Sequence, residues 1–321
     1  MKKYNKIVLT GASGRLGSYL REPLSKISKK LVSTDKDDIG KTLKNEVFKK
    51  IKLENFNQVD KILKKTDVIV HFGAYSNEGP FQEILEANIL GAYNIWKSAK
   101  KHKIKRIIFA SSIHSVGMYQ VDQNINHKVM HKPDTFYGLS KSFGENLAQM
   151  YWDKCGIECL CIRILSCAKV TSKRSLSTWL SYDDLIRIVI QSIKIKKLGF
   201  EIIYGVSKNK RSTIDNTNAV KKLKMKIKDN AEKFSKKLGF EIIYGVSKNK
   251  RSAIDNTNAV KKLKMKIKDN AEKFSNKLAK SLDMKKDNPG DQYLGGPFSI
   301  AKLESDAMSS MKIINDKKTI S

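Results

Sequence analysis

Tyr137 and Lys141 stand four residues apart in Tyr137-Gly-Leu-Ser-Lys141. On a helix that spacing sets both side chains over one patch, a turn apart. An ammonium beside a phenol favours the phenolate and brings its pKa down from about 10. A tyrosine so tuned can take the proton of an alcohol near neutral pH. Spacing alone does not single out this pair, because Tyr-x-x-x-Lys recurs at Tyr93/Lys97, Tyr204/Lys208 and Tyr244/Lys248. Context does. Tyr137 opens a helical pattern and follows Ser112, which ends a strand-like run 25 residues upstream. Tyr93 lies inside a long helical pattern, and Tyr204 and Tyr244 end strand-like runs.

The elements that must position this pair are legible as alternating patterns. Residues 6–10, 30–34, 67–71, 105–111 and 159–165 read as buried strands. Helical patterns run from the glycine stretch to about residue 24 and over 57–65, 83–101, 140–154 and 176–197. Strands alternating with helices predict an α/β fold with a doubly wound parallel sheet. Its nucleotide-binding domain spans residues 1–165, a smaller substrate-binding region spans 166–303, and a polar tail covers 304–321. The stretch Gly11-Ala-Ser-Gly14-Arg-Leu-Gly17 follows the first strand and opens the first helix. Glycines there let the backbone approach a pyrophosphate, and the helix N-terminus meets its charge. Asp35 ends the second strand, 18 residues after Gly17, where a carboxylate accepts from ribose hydroxyls and repels a 2′-phosphate. That favours NAD over NADP.

The net charge of +31 raises nucleic-acid binding. Of 63 basic residues, however, only eight are Arg, and the 55 Lys are scattered along nearly every segment. Phosphate and base recognition recruits Arg forks and exposed aromatics, so no specific nucleic-acid partner is expected. No run approaches the ~20 apolar residues of a membrane span, and the leading residues are too short in apolar length for a signal-peptide core. The four cysteines fall between 155 and 167, with no zinc-ligand spacing. A cytoplasmic enzyme without a metal is the expectation. Residues 198–237 recur as 238–277 with only Thr213 against Ala253 and Lys236 against Asn276. Each copy offers a strand, Phe-Glu-Ile-Ile-Tyr-Gly, and a basic helix. Two barely diverged copies read as a recent tandem duplication rather than a solenoid, which needs about three or more units.

Gly11-x-x-Gly14-x-x-Gly17, Ser112, Tyr137 and Lys141 together resemble the extended short-chain dehydrogenase/reductase superfamily. Within it the chain is similar to the NAD-dependent uronate dehydrogenases. The resemblance is carried by His71-Phe-Gly-Ala, Asn88-Ile-Leu-Gly, Phe109-Ala-Ser-Ser-Ile-His-Ser-Val-Gly117, Tyr137-Gly-Leu-Ser-Lys141, Arg163-Ile-Leu-Ser-Cys167 and Arg174-Ser-Leu-Ser-Thr-Trp-Leu. It implies oxidation of a hexuronate at C1 to an aldarolactone, with Tyr137 as base, Lys141 lowering its pKa and Ser112 orienting the reacting oxygen. NAD would be held by Gly11, Ser13, Gly14, Arg15, Leu16, Gly17, Asp35, Leu53, Phe72, Gly73, Ala74, Asn88, Tyr137 and Lys141. Arg174 would pair with the uronate carboxylate, and Ser76, Ser111, His114 and Ser166 would hydrogen-bond the sugar. The resemblance also implies self-association through the helices around Lys141 and residues 84–96. Three positions depart from the pattern: Ile113 stands for Asn, Leu165 for Gly, and Lys52 precedes Leu53 where Asp is usual. Epimerisation of a nucleotide sugar, and NAD binding without turnover, are the alternative readings.

Overall fold

The computed structural model describes residues 3–168, 175–210, 212–225, 227–231, 293–300 and 303. All belong to one compact unit, Met1–Ala231 with Gly290–Ser321. The second repeat copy, Arg174 and the tail over 304–321 lie outside the described residues.

The chain opens with β1 (Tyr4–Thr10), α1 (Arg15–Ile27), β2 (Ser28–Asp35), β3 (Glu46–Lys50), α2 (Phe56–Leu63) and β4 (Val68–His71). Next come α3 (Phe81–Ile84), a π-helical turn at Leu85–Leu90, α4 (Gly91–Lys101), β5 (Arg106–Ser112) and a 3₁₀ turn at Ile113–Val116. Then α5 (Phe136–Cys155), β6 (Glu158–Ile164), α6 (Ser175–Thr178), α7 (Tyr182–Lys194), β7 (Phe200–Gly205) and α8 (Thr217–Leu223) follow, with a 3₁₀ turn at Gly296–Ile300. The seven strands form one sheet in the order β3-β2-β1-β4-β5-β6-β7, and every pairing is parallel.

Strand alternation divides the core into two layers. Ile7 and Leu9 of β1 face one cluster with Leu20 and Leu24 of α1 and Leu185 and Ile188 of α7. Val8 faces the other, with Val59 of α2, Ile95 and Trp96 of α4 and Leu147 of α5. Beyond residue 165 the sheet continues: β7 lies parallel to β6 from Cys159↔Phe200 to Ile164↔Gly205.

Several elements differ from their sequence patterns for identifiable reasons. β3 was hidden by its charge, because Glu-Val-Phe-Lys-Lys is a short edge strand with two exposed lysines. The single helix expected over 83–101 is interrupted by the π turn that carries Asn88. The helix expected over 176–197 breaks before Tyr182, where Ser181 accepts from Asp184 N and caps α7. The α5 helix begins four residues earlier than its apolar period, capped by the Thr135 side chain on Gly138 N. That cap places Tyr137 in the first turn.

Candidate active site

The carboxyl ends of the strands converge where the order reverses between β1 and β4, the crevice in which open α/β sheets bind ligands. Gly11 has φ +75°, and a methyl group on it would meet Phe72 and Gly73 backbone at 2.6 Å. A methyl group on Gly17 would collide with the Gly11 carbonyl. The loop is thus folded tightly against the β4 end. Gly73 N donates to Thr10 Oγ1 at 2.9 Å, and Leu53 packs against both Gly73 and Gly91. Asp35 at the tip of β2 accepts from Ser13 N at 2.9 Å and Lys36 N at 2.7 Å. The N-terminus of the 13-residue α1 has no side-chain cap and no acidic residue in its first turn. Arg15 and Leu16 form that turn, and Phe72, Gly73 and Ala74 face it half-buried across the crevice. Unclaimed helix N–H groups, close glycine backbone and one carboxylate at the β2 tip fit a dinucleotide's pyrophosphate and ribose. The loop that holds Lys52 turns its amine outward toward Glu54, 3.8 Å away.

Opposite this loop stand Ser112 and α5. Ser112 ends β5, and its Oγ accepts from His114 N at 3.3 Å. Lys141 is buried, donates from Nζ to Ala110 O at 2.9 Å, and lies 5.5 Å from the Tyr137 ring centroid. Tyr137, Lys141 and Ser112 therefore meet, and Ser112 reaches the phenol with a side-chain hydrogen bond. The electrostatics correct the expected fall in the Tyr137 pKa. Burial pushes the phenol up to about 12; Ser112 opposes that rise and the charge of Asp134 adds to it. Burial brings Lys141 down to about 8. In the protein alone, removal of both groups from water outweighs the attraction between ammonium and phenolate.

The π turn aims Asn88 at two segments. Its Nδ2 donates to Ser140 Oγ at 2.9 Å and to Tyr75 O at 3.0 Å, while Oδ1 accepts from Tyr75 N at 2.7 Å. Asn88 thus ties α5, one residue before Lys141, to the loop after β4. Glu78 from the same loop accepts from Tyr137 N at 2.9 Å.

The residues expected to touch sugar divide. Ser76 is exposed in the loop after β4. His114 pairs through Nδ1 with buried Asp134 at 2.8 Å. Its ring is edge-on to Tyr137 and packs on Phe298, with centroids 5.7 and 4.2 Å away. Ser166 Oγ is within 2.8 Å of Thr178 Oγ1. Ser111 is turned inward, donating to Glu145 Oε1 at 2.5 Å. Arg174 lies outside the described residues. Ile113 and Leu165 follow Ser112 and Ile164, which pair across β5 and β6, and both join one apolar cluster with Val206 and Tyr204.

Glu145, Arg163, His131, Asp134 and Phe298, none with an assigned role in the sequence, also shape the site. Glu145 lies two turns beyond Tyr137 on the same face of α5 and is fully buried. It accepts from Arg163 Nη2 at 2.8 Å and lies 2.7 Å from His131 Nε2. Burial works to raise its pKa, but the hydrogen bond from His131, the Arg163 guanidinium and Ser111 together hold the carboxyl below the usual range. Asp134 and Phe298 complete the set. Glu145 had one available signal, its i+8 spacing from Tyr137; Phe298 had none. Among the described residues no three His, Cys, Asp or Glu gather as a metal site, and no helix is long and apolar enough to cross a membrane.

The model of the NAD dependent epimerase/dehydratase family matches residues 7–232. Uronate dehydrogenase of Pseudomonas syringae pv. tomato is 40% identical over 233 residues, covering 72% of this chain and 84% of that protein. The crystal structure of glucuronic acid dehydrogenase from Chromohalobacter salexigens superposes with a TM-score of 0.76 at 32% identity, over 94% of this chain and 99% of that one. Uronate dehydrogenase from Agrobacterium tumefaciens gives 0.75 at 31% identity, over 93% and 98%. The match begins in β1, runs through the glycine loop and the Tyr137 helix, and ends beyond α8: the chain belongs to the NAD dependent epimerase/dehydratase family.

Proposed function

We propose that the protein oxidises a hexuronate, such as galacturonate or glucuronate, at C1 with NAD, giving an aldarolactone. One observation carries this reading. Ser112, Tyr137 and Lys141 meet on the carboxyl edge across from a glycine loop, in a chain 40% identical to a uronate dehydrogenase. Ser112 orients the anomeric oxygen, and Tyr137 accepts its proton. Lys141 supplies a positive charge near the phenol. When bound, NAD supplies the hydride acceptor and a cationic ring whose field lowers a nearby phenol's pKa. Gly11, Ser13, Gly14, Arg15, Leu16 and Gly17 cradle its pyrophosphate, Asp35 its adenosine ribose, and Leu53, Phe72, Gly73 and Ala74 line the crevice. Asn88 holds Ser140 and thus the turn that presents Lys141. Ser76, His114 and Ser166 face the sugar hydroxyls, and Arg174 pairs with the carboxylate. Ser111 serves through Glu145 as support for the β5 tip.

Self-association through α5 and the α3–α4 stretch belongs to the same reading. Leu139 and Met150 of α5 and Phe81, Leu90 and Tyr93 of the other stretch are all exposed apolar side chains. Sedimentation of the full chain reads this directly. The cytoplasm, where NAD turns over, is the proposed location.

The deciding experiment follows NADH absorbance with a panel of uronates. Turnover is expected, and Tyr137→Phe is expected to reduce it at least 100-fold, on the scale of general-base loss. NAD that stays tightly bound while a nucleotide sugar epimerises, with no net reduction, would overturn the reading.

A further inference from the structure

We propose that Asp134 is a positioning residue that fixes His114 as a hydrogen-bond acceptor toward the substrate. The proposal rests on the uronate reading for the identity of the substrate. Asp134 is fully buried at its side chain. Among the described residues its carboxylate has two side-chain partners: Thr135 Oγ1 donates to Oδ1 at 3.0 Å, and His114 Nδ1 lies 2.8 Å from Oδ2. Around it stand Gly117 after the 3₁₀ turn, Gly138 in the first turn of α5 and Gly295 of the returning C-terminal segment. A methyl group on any of the three would meet the carboxylate. That segment is held by Leu294 N on Tyr119 O at 2.8 Å and Gly295 N on Gly117 O at 2.9 Å. Three separate stretches of backbone thus leave a space filled by one carboxylate and shut water out.

An ionised carboxylate only accepts. A neutral His114 beside it carries its proton on Nδ1, which leaves Nε2 bare. Phe298 packs over the ring at 4.2 Å, and Tyr137 lies edge-on at 5.7 Å, so the imidazole is held in plane as well as in tautomer. Ser112 also takes His114 N, which sets this ring two residues beyond the serine that acts on the phenol. A bare Nε2 in that setting accepts from a sugar hydroxyl and pairs poorly with a substrate acceptor or an apolar carbon. Asp134 thereby makes the site select a hydroxyl donor near the reacting carbon.

Nitrogen-15 spectra of histidine-labelled full-length protein at pH 8.5 test this, with the His114 signals assigned by their loss in His114→Gln. The proton is expected on Nδ1 in the free enzyme; a proton on Nε2 overturns the proposal without reference to turnover. In Asp134→Asn the proton is expected to move toward Nε2. The uronate KM should rise about 10-fold, the loss of one hydrogen bond of about 1.4 kcal/mol, and should change more than kcat does, while NAD affinity holds within about 3-fold. A fall in kcat at unchanged KM overturns it. If the variant fails to fold, the wild-type spectrum still decides. Absence of uronate turnover in the wild type sinks the functional reading and leaves the tautomer result standing.

Discussion

The two halves of the carboxyl edge are built in opposite ways. Around β1, β2 and β4 the backbone makes the site, through Gly11, Gly17, Gly73 and the uncapped start of α1, with Asp35 adding one carboxylate. Around β5, β6 and β7 side chains make it, with Lys141, Glu145, Arg163 and Asp134 all buried. On the proposed function, the contrast follows from what each half would hold. A pyrophosphate is met by N–H groups that any sequence carries. A sugar acid presents hydroxyls in fixed directions, and those require donors and acceptors at fixed points. The first half tolerates no added atom; the second carries the cost of desolvated charge.

Arg163→Met is the most severe way to break the second half. It leaves Glu145 buried with, among the described residues, His131, Ser111 and Ser115 as side-chain partners. A loss of about 3–5 kcal/mol in urea unfolding is expected. Adding Glu145→Leu removes the stranded charge and should recover most of that loss. A single variant as stable as wild type would mean that the pair does not organise this half.

Lys141→Met tests the same contrast with the opposite sign. The folded pKa of about 8 lies below the ordinary 10.5, so between those values the unfolded chain binds more protons. Stability therefore rises with pH across that window, and below pH 8 the full cost of the buried charge, about 3 kcal/mol, is present. Tyr137 acts the other way: its folded pKa of about 12 is raised, so its contribution is complete below pH 10 and is lost as pH climbs through 12. The methionine variant should gain about 2 kcal/mol at pH 7, after losing the hydrogen bond to Ala110 O, and its stability should no longer rise from pH 8 to 10. Its dehydrogenase activity should vanish. Denaturant titrations at pH 7, 8, 9 and 10 provide the check. A less stable variant would mean that this lysine is not held at a cost.

The same contrast explains what could be read from the sequence. Glycine spacing after a strand is a local rule, so the phosphate side and most strands were legible from short stretches. So was the Ser112, Tyr137, Lys141 set, once the helix and strand ends were placed. Four features were not. The direction of the Tyr137 shift depends on how deeply α5 is buried, which no spacing encodes. Ser111 was expected to face sugar and instead faces Glu145, a residue 34 positions away. Asp134 gains its surroundings from Gly295, which returns from the far end of the chain. β3 was missed because an edge strand with exposed lysines lacks the apolar run that marks its neighbours.

Asp35→Ala gives the mildest effect and sharpens the comparison most directly. The side chain accepts from Ser13 N and Lys36 N, which pins the glycine loop to the β2 tip. Its loss leaves those N–H groups to water, at a cost of about 1 kcal/mol in stability. The larger consequence falls on the ribose. A backbone-built half depends on this one carboxylate for cofactor choice, so NAD affinity should fall about 10-fold, or ~1.4 kcal/mol, and discrimination against NADP should shrink with it. The uronate KM at saturating NAD should not move, whereas Asp134→Asn should move that KM and leave NAD affinity alone. Calorimetry with each cofactor and steady-state kinetics with a uronate separate the two variants. If each substitution disturbed both ligands equally, the two halves would be a single coupled site rather than two surfaces built on different principles.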